Sequence, residues 1–406
     1  MTAAVVTGMG VIAPTGLDAD EHWNSIIGRR SGIRQITRFD AEQYASKLAG
    51  EVDGFDASAY LPSRLLPQTD HMTRMALAAA DMALRDAGVG ADSLGGFDVG
   101  VVTASTAGGF EFGHHELHKL WSKGPEHVSA YQSFAWFYAV NTGQISIRHG
   151  ARGPSGVLVT DEAGGLDAVG QARRYVRGDQ PVMITGGVDG SPCPWGWVAH
   201  LAGGGLSTRQ DPARAFLPFD EDADGHVPGE GGALLVVESK TAAQARGVRS
   251  WYGEIAGYAA TFDPAPGSGA PPNLRRAAEL ALADAGLTPA DVDVVFADAA
   301  GEPAADDAES ATLRELFGPY GVPVTAPKTM TGRLGAGGAA LDLATALLAI
   351  RHSLVPPTAN VTRLCARHEI DLVLEPRPMA ISHALVLARG RNGFNAAMVI
   401  AAPAVR

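Results

Sequence analysis

The stretch Val157-Leu158-Val159-Thr160-Asp161-Glu162-Ala163-Gly164-Gly165-Leu166-Asp167 decides the fold. A β-rich apolar run meets a turn, two glycines follow, and a helix opens with Leu166-Asp167. A strand-to-helix turn of this kind is a nucleophile elbow: it pushes one side chain into a pocket at a helix N-terminus. The side chain at the apex is Glu162. A carboxylate is a poor acyl carrier, because acylation gives a mixed anhydride that water opens far more readily than a thioester. The elbow is present without a competent nucleophile.

Outward from the elbow the chain repeats itself. Ala83-Leu84-Arg85-Asp86-Ala87-Gly88-Val89 leads into Phe97-Asp98-Val99-Gly100-Val101-Val102, and Ala281-Leu282-Ala283-Asp284-Ala285-Gly286-Leu287 leads into Val292-Asp293-Val294-Val295-Phe296. Each reads as a helix stopped by glycine and followed by a buried strand. A second pair, Gly165-Leu166-Asp167-Ala168 and Ala340-Leu341-Asp342-Leu343, recurs at similar offsets. A repeat near half the chain length predicts two similar α/β halves. The seam is placed near residue 250, giving halves 1–250 and 251–406 within one compact unit. Small residues on the helices would let core helices press closely between sheets.

Composition bounds the rest. The 406 residues are 46% hydrophobic and 19% charged with 50 glycines, which fits a well-packed α/β protein. A net charge of −12 argues against nucleic acid or an anionic membrane as partner. The two cysteines, Cys193 and Cys365, are too few for a disulfide framework and fit a reducing cytosol. No signal-peptide pattern opens the chain, and no stretch nears the ~20 apolar residues of a spanning helix, so a cytoplasmic location is expected.

The elbow and its flanks resemble the β-ketoacyl synthases of the thiolase superfamily, whose corresponding run reads Thr-Gly-Cys-Thr-Ser-Gly-Leu-Asp. Pro218-Phe219-Asp220 with Gly225-His226-Val227-Pro228-Gly229-Glu230-Gly231-Gly232 is similar to a synthase loop. Ala326-Pro327-Lys328-Thr329-Met330-Thr331-Gly332-Arg333-Leu334 and the degraded Gly390-Arg391-Asn392-Gly393-Phe394-Asn395 match two more motifs. Within that superfamily, the run Ser133 to Ile147 and the Glu-Ala-Gly-Gly-Leu-Asp elbow resemble the chain length factors (ketosynthase β subunits) of bacterial type II aromatic polyketide synthases. Those factors usually carry Gln at the elbow, so Glu162 departs even from them. The resemblance implies the thiolase fold: duplicated βαβαβαββ halves in a five-layer αβαβα arrangement.

Residue by residue, the resemblance puts the two catalytic histidines of a working synthase on Asp298 and Arg333. An anionic Asp298 repels a developing enolate, and arginine is not deprotonated in proteins. With Glu162 in place of the cysteine, no catalytic residue is expected. Glu309 and Lys328 remain, support residues in the family. A lone Glu, Asp or Arg is most often a solvated surface charge. The elbow places Glu162 inside, and burial favours pairing, so Glu162 and Arg333 are expected within ion-pair distance.

The resemblance further implies the non-condensing half of an obligate heterodimer with a catalytic ketosynthase α subunit. That partner would load a chain from an acyl carrier protein and extend it with malonyl units, while this chain walls the tunnel that holds the poly-β-keto product. The gating positions, by match to the motif, are Phe110, Gly113 and Leu117, on one helical face. Gly113 has no side chain, and Leu117 is smaller than the Phe of shorter-chain relatives. A ring removed from a rigid wall opens a void that packing does not refill completely, so the resemblance implies a long product of about ten acetate units instead of about eight. The bland alternative is a core helix with Gly113 as a close-packing glycine. Alternatives are a malonyl-carrier decarboxylase element using Glu162 and a solitary non-catalytic homodimer.

Other residues are weaker signals. His114 and His118 lie one helical turn apart but lack the His-Glu-x-x-His order and a third ligand, so no metal is expected. No cofactor is expected either. Cys193, between Pro192 and Pro194, reads as a buried structural thiol. Gly203-Gly204-Gly205 has no strand–Gly–helix context and is a loop, not a phosphate cradle. Phe134, Trp136 and Phe137 are core on the bland reading; the sharper one puts them at a dimer interface, where large aromatics are enriched.

Overall fold

The computed structural model describes residues 2–90, 95–265 and 267–404. Ten strands carry the architecture. In chain order they are β1 (Ala4–Ile12), β2 (Val99–Ala104), β3 (Ser155–Leu158), β4 (Val182–Asp189), β5 (Gly231–Ser239), β6 (Gly253–Phe262), β7 (Val294–Phe296), β8 (Pro323–Thr325), β9 (His383–Gly390) and β10 (Phe394–Ala401). The first five pair in the order β3-β2-β4-β5-β1 and the second five in the order β8-β7-β9-β10-β6. Both orders are the same walk, third-second-fourth-fifth-first. The directions repeat as well: β2 is parallel to its two neighbours, as β7 is to its own, and the two remaining pairings in each half are antiparallel. The halves join where β1 meets β6, with Val5 opposite Glu254 and Val6 opposite Gly253.

Eight helices complete the layers: α1 (His71–Asp86), α2 (Phe110–Lys123), α3 (Val140–His149), α4 (Gly164–Arg177), α5 (Pro194–Gly203), α6 (Leu274–Ala285), α7 (Pro303–Phe317) and α8 (Ala336–His352). Helices α1 and α3 cover the outer face of the first sheet, and α6 with α7 covers that of the second. Helices α4 and α8 lie between the sheets and touch both. This is the expected αβαβα thiolase arrangement. The strands β4 and β5, covered on both faces, are buried almost end to end, as sandwiched strands must be.

The central pair packs unusually closely, and the small residues make that possible. A Cβ on Gly165 would stand 2.5 Å from the Ala340 amide nitrogen and 2.7 Å from the Ala336 carbonyl oxygen. Any side chain there would drive α4 and α8 apart and lift the elbow off the core. Helix α8 is buried along its whole length from Ala339 to Ile350, which is why it reads as apolar all round and not amphipathic. Among the described residues no helix is long and apolar enough to cross a membrane.

Candidate functional site: a closed elbow beside a gated cavity

Strand β3 ends at Leu158, and a single turn of 3-10 helix, Asp161–Ala163, hands the chain to α4. The strain of the elbow sits on Asp161, whose φ is +55°, one residue before the apex. The Asp161 side chain is held from a distant part of the chain: the Arg391 N–H donates to its Oδ2 at 2.7 Å. Arg391 lies in the turn between β9 and β10, so the degraded terminal motif closes over the elbow. Below it, Thr160 Oγ1 and Tyr258 OH both donate to Asp167, fixing the first turn of α4.

Glu162 and Arg333 meet as the sequence suggested, with Nε 3.5 Å from Oε1. The tighter partner of Arg333 is Asp298. Nη2 lies 3.1 Å from Oδ1 and Nη1 3.3 Å from Oδ2, a two-pronged pair in which both side chains are almost wholly buried. Nη1 also donates to the Asp298 carbonyl oxygen at 3.1 Å, and Nη2 to the Arg389 carbonyl oxygen at 3.3 Å. The retained family residues frame this pair. Glu309 accepts the Asp298 and Ala299 N–H groups at 2.7 and 2.8 Å, and Lys328 Nζ donates to the Asp298 carbonyl at 2.9 Å and pairs with Asp342 at 2.7 Å.

Electrostatics separate the two carboxyls. For Asp298 burial opposes charge, but Arg333, then Lys328 and Arg389, outweigh it and hold the group below its ordinary value. For Glu162 burial wins over the attraction of Arg333 and lifts the carboxyl to about 7. Burial likewise opposes the charge on Arg333, yet Asp298 and Glu162 keep it firmly cationic. The arrangement holds one permanent ion pair with a third group that titrates near neutrality. It contains no thiolate and no neutral imidazole at the two histidine positions, so it cannot form and then condense a thioester in the manner of a synthase.

A cavity of about 350 Å³ opens from this cluster and reaches Phe110 at the start of α2. Two histidines that the sequence reading passed over, His200 and His226, also line it. Burial lowers both, His200 to about 4, so they face the cavity neutral. The void expected at Gly113 is not empty. The Trp195 indole occupies it: a Cβ on Gly113 would stand 3.1 Å from Trp195 Cζ3. The same ring stacks on Phe110 with centroids 4.4 Å apart and planes 17° from parallel. Leu117 lies beyond that indole, in a neighbouring apolar pocket of about 440 Å³ with His114, His118 and Trp121. The three motif positions therefore do not line one wall; Trp195, from the start of α5, divides them. Among the described residues no group of three or more His, Cys, Asp and Glu side chains is placed to hold a metal ion. Cys193 is buried, and burial pushes its thiol up to about 11, so it is inert.

The aromatic run before α3 is not core. Phe134 is half-buried, while Trp136, Phe137 and Tyr138 each leave about two-fifths of their surface exposed. Among the described residues strand β3 pairs on one side only, with β2, and ends the sheet.

Comparison with known proteins agrees with this geometry. Residues 1–243 match the beta-ketoacyl synthase N-terminal domain family, and residues 252–362 match the C-terminal domain family. The tetracenomycin polyketide synthase ketoacyl synthase beta subunit of Streptomyces glaucescens is 56% identical over 398 residues, covering 98% of this chain and 97% of that one. Among solved structures, the ishigamide ketosynthase/chain length factor superposes with a TM-score of 0.92 at 28% identity, covering 99% of each chain. A type II polyketide synthase ketosynthase, bound to the hexaketide and in complex with its acyl carrier protein, superposes with a TM-score of 0.88 at 27% identity, covering 99% of this chain and 100% of that one. The chain belongs to the beta-ketoacyl synthase family, and within it to the ketosynthase beta subunits, the chain length factors, of type II polyketide synthases.

Proposed function

We propose that this chain is the non-condensing half of a heterodimer with a cysteine-bearing ketosynthase, and that it walls the far end of the tunnel in which the poly-β-keto chain grows. The observation that carries the reading is the pairing of a disabled elbow with an adjacent cavity. Arg333 pairs with Asp298 and leans on Glu162 where a synthase would hold its catalytic residues, while the cavity beside them reaches Phe110, whose ring is backed by Trp195. The open edge of β3 and the exposed Trp136, Phe137 and Tyr138 give the dimer face: unpaired backbone groups for a partner strand, with aromatics beside them. Phe134, half-buried in the same run, belongs to that proposed face.

The partner supplies the thiolate, the histidines and the loaded acyl carrier protein; this chain supplies depth. With Leu117 set apart behind Trp195, the stop is Phe110 with Trp195 stacked against it, and the filled space beside Gly113 removes the ground for expecting an unusually long product. The test is co-expression with a cysteine-bearing ketosynthase from the same kind of synthase. A stable one-to-one complex that makes polyketide, against an inert chain when purified alone, supports the reading. A catalytically complete homodimer of this chain would overturn it.

A further inference from the structure

One buried carboxylate fastens the first turn of the helix that carries Phe110. Asp70 is 3% exposed and caps α1, with Oδ1 accepting the Met72 N–H at 2.8 Å. Its second oxygen crosses to α2, where Oδ2 accepts the Phe112 N–H at 2.7 Å. That N–H is among the first donors of α2, which a helix cannot satisfy internally, and the residue at the cap of α2, Gly109, has no side chain to do so. Gly109 is needed for the approach itself: a Cβ there would stand 2.1 Å from the Ala135 carbonyl oxygen and 3.0 Å from Asp70 Cβ.

The same turn is held through a side chain as well. Glu111 lies 3.6 Å from Arg38 Nη1, while Arg38 Nη2 lies 2.5 Å from Glu230 Oε1. Glu230 is 1% exposed, accepts the Val52 N–H at 2.8 Å, and follows Gly229, a residue of the cavity wall. Backbone and side-chain ties thus anchor residues 110–112 to groups outside the cavity, and Phe110 is left with its ring against Trp195 as the element facing in. Burial raises the Asp70 carboxyl to about 7, against the pull of its two N–H partners, which favour the charged form.

We propose that Asp70 is a positioning residue for chain-length selection: by holding the Phe112 N–H together with the cap of α1, it sets how far Phe110 stands into the cavity. The inference rests on the reading of this chain as the end wall of the tunnel. Loosening this tie lets the wall recede before a growing chain, so product length moves without loss of condensation, which belongs to the partner.

Serine is as good a helix cap as aspartate, but its single short hydroxyl can serve α1 and not also reach α2. Asp70→Ser therefore frees the gate turn while keeping α1 capped, and Asp70→Asn replaces one of the two acceptor oxygens by a donor. The experiment is product mass from the complex of this chain with a cysteine-bearing ketosynthase, carrier protein and malonyl donor. Asp18→Ala is the control, removing the cap of the remote helix Ala19–Ile27, where Asp18 accepts the Glu21 N–H at 2.7 Å. Phe110→Ala tests the gate itself.

Both Asp70 variants should cut the share of native-length product at least about twofold, the smallest effect expected from losing one capping bond, with the lost share appearing as longer chains. Asp18→Ala should lower the melting temperature and leave the lengths alone. Native length distributions from both Asp70 variants, with Phe110→Ala shifting them, would overturn this inference and spare the gate. An unchanged distribution from Phe110→Ala would overturn the gate, and this inference with it.

Discussion

Arg333 grips Asp298 through two nitrogens, at 3.1 and 3.3 Å, and turns only its Nε, at 3.5 Å, toward Glu162. The pair fills both positions where a condensing relative would carry histidine, so restoring the nucleophile alone cannot restore the reaction. Glu162→Cys should accept no acyl chain that is then extended. The check is malonyl extension by the complex with the partner's cysteine removed; any polyketide formed counts against the account.

Removing Arg333 strands a buried charge. Asp298 would keep Lys328 near its backbone and the N–H of Arg389, but lose its two-pronged partner. Breaking a buried pair from one side is strongly destabilising, so Arg333→Leu should cost about 3 kcal/mol, read from urea unfolding of the complex. Arg333→Leu combined with Asp298→Leu, which removes both charges, should recover a large part of that loss. Equal destabilisation by the single and double variants would contradict the pairing.

Glu162 makes stability depend on pH, and the sign follows from its raised value. Burial lifts the folded-state carboxyl to about 7, above the ordinary range it has in the unfolded chain. Below that ordinary range both states are protonated and the group contributes nothing. As pH rises toward 7 the unfolded chain gives up its proton first, so folding is progressively penalised. Glu162→Gln removes the penalty. The variant should gain on the order of 1 kcal/mol over the parent at pH 8 and nothing at pH 4, a modest figure because the side chain still meets water in the cavity. Melting curves of both complexes across that range decide it; a gain that is the same at every pH would be wrong for this mechanism.

How much of this was legible in the sequence depends on chain separation. The elbow could be read because strand, turn and helix are contiguous, and the duplication because each helix–Gly–strand unit repeats locally. The meeting of Glu162, Asp298 and Arg333 came from the family resemblance, since no local pattern joins three distant segments. Trp195 escaped notice because nothing in Pro194-Trp195-Gly196 announces that its ring fills the space beside Gly113, some eighty residues earlier. The reading of an empty void at Gly113 failed for that reason. Nothing in the sequence singles out Asp70; that it serves two helices is visible only in three dimensions. The aromatic run left core and interface both open, because hydrophobicity alone cannot say which side chains are left uncovered.

Carrier-protein docking should depend on the partner more than on this chain. The formal charge of −12 makes the average field here repulsive to an acidic carrier. Charge reversal at surface Arg and Lys should therefore weaken carrier affinity less on this chain than on the ketosynthase, measured by titration of the complex at fixed ionic strength. The opposite ranking would count against it.

The central claim is that this chain, with no condensing chemistry of its own, sets the length of what its partner makes. A threonine at Gly113 would collide with the Trp195 indole and press it toward Phe110, narrowing the end of the cavity. A phenylalanine at Leu117 fills the pocket behind that indole and blocks its retreat. The most direct measurement is product mass from one unchanged ketosynthase paired in turn with the parent chain and with Gly113→Thr/Leu117→Phe. The account predicts that both complexes assemble and that the double variant makes a product shorter by at least one acetate unit. An unchanged carbon count from an intact complex would contradict it.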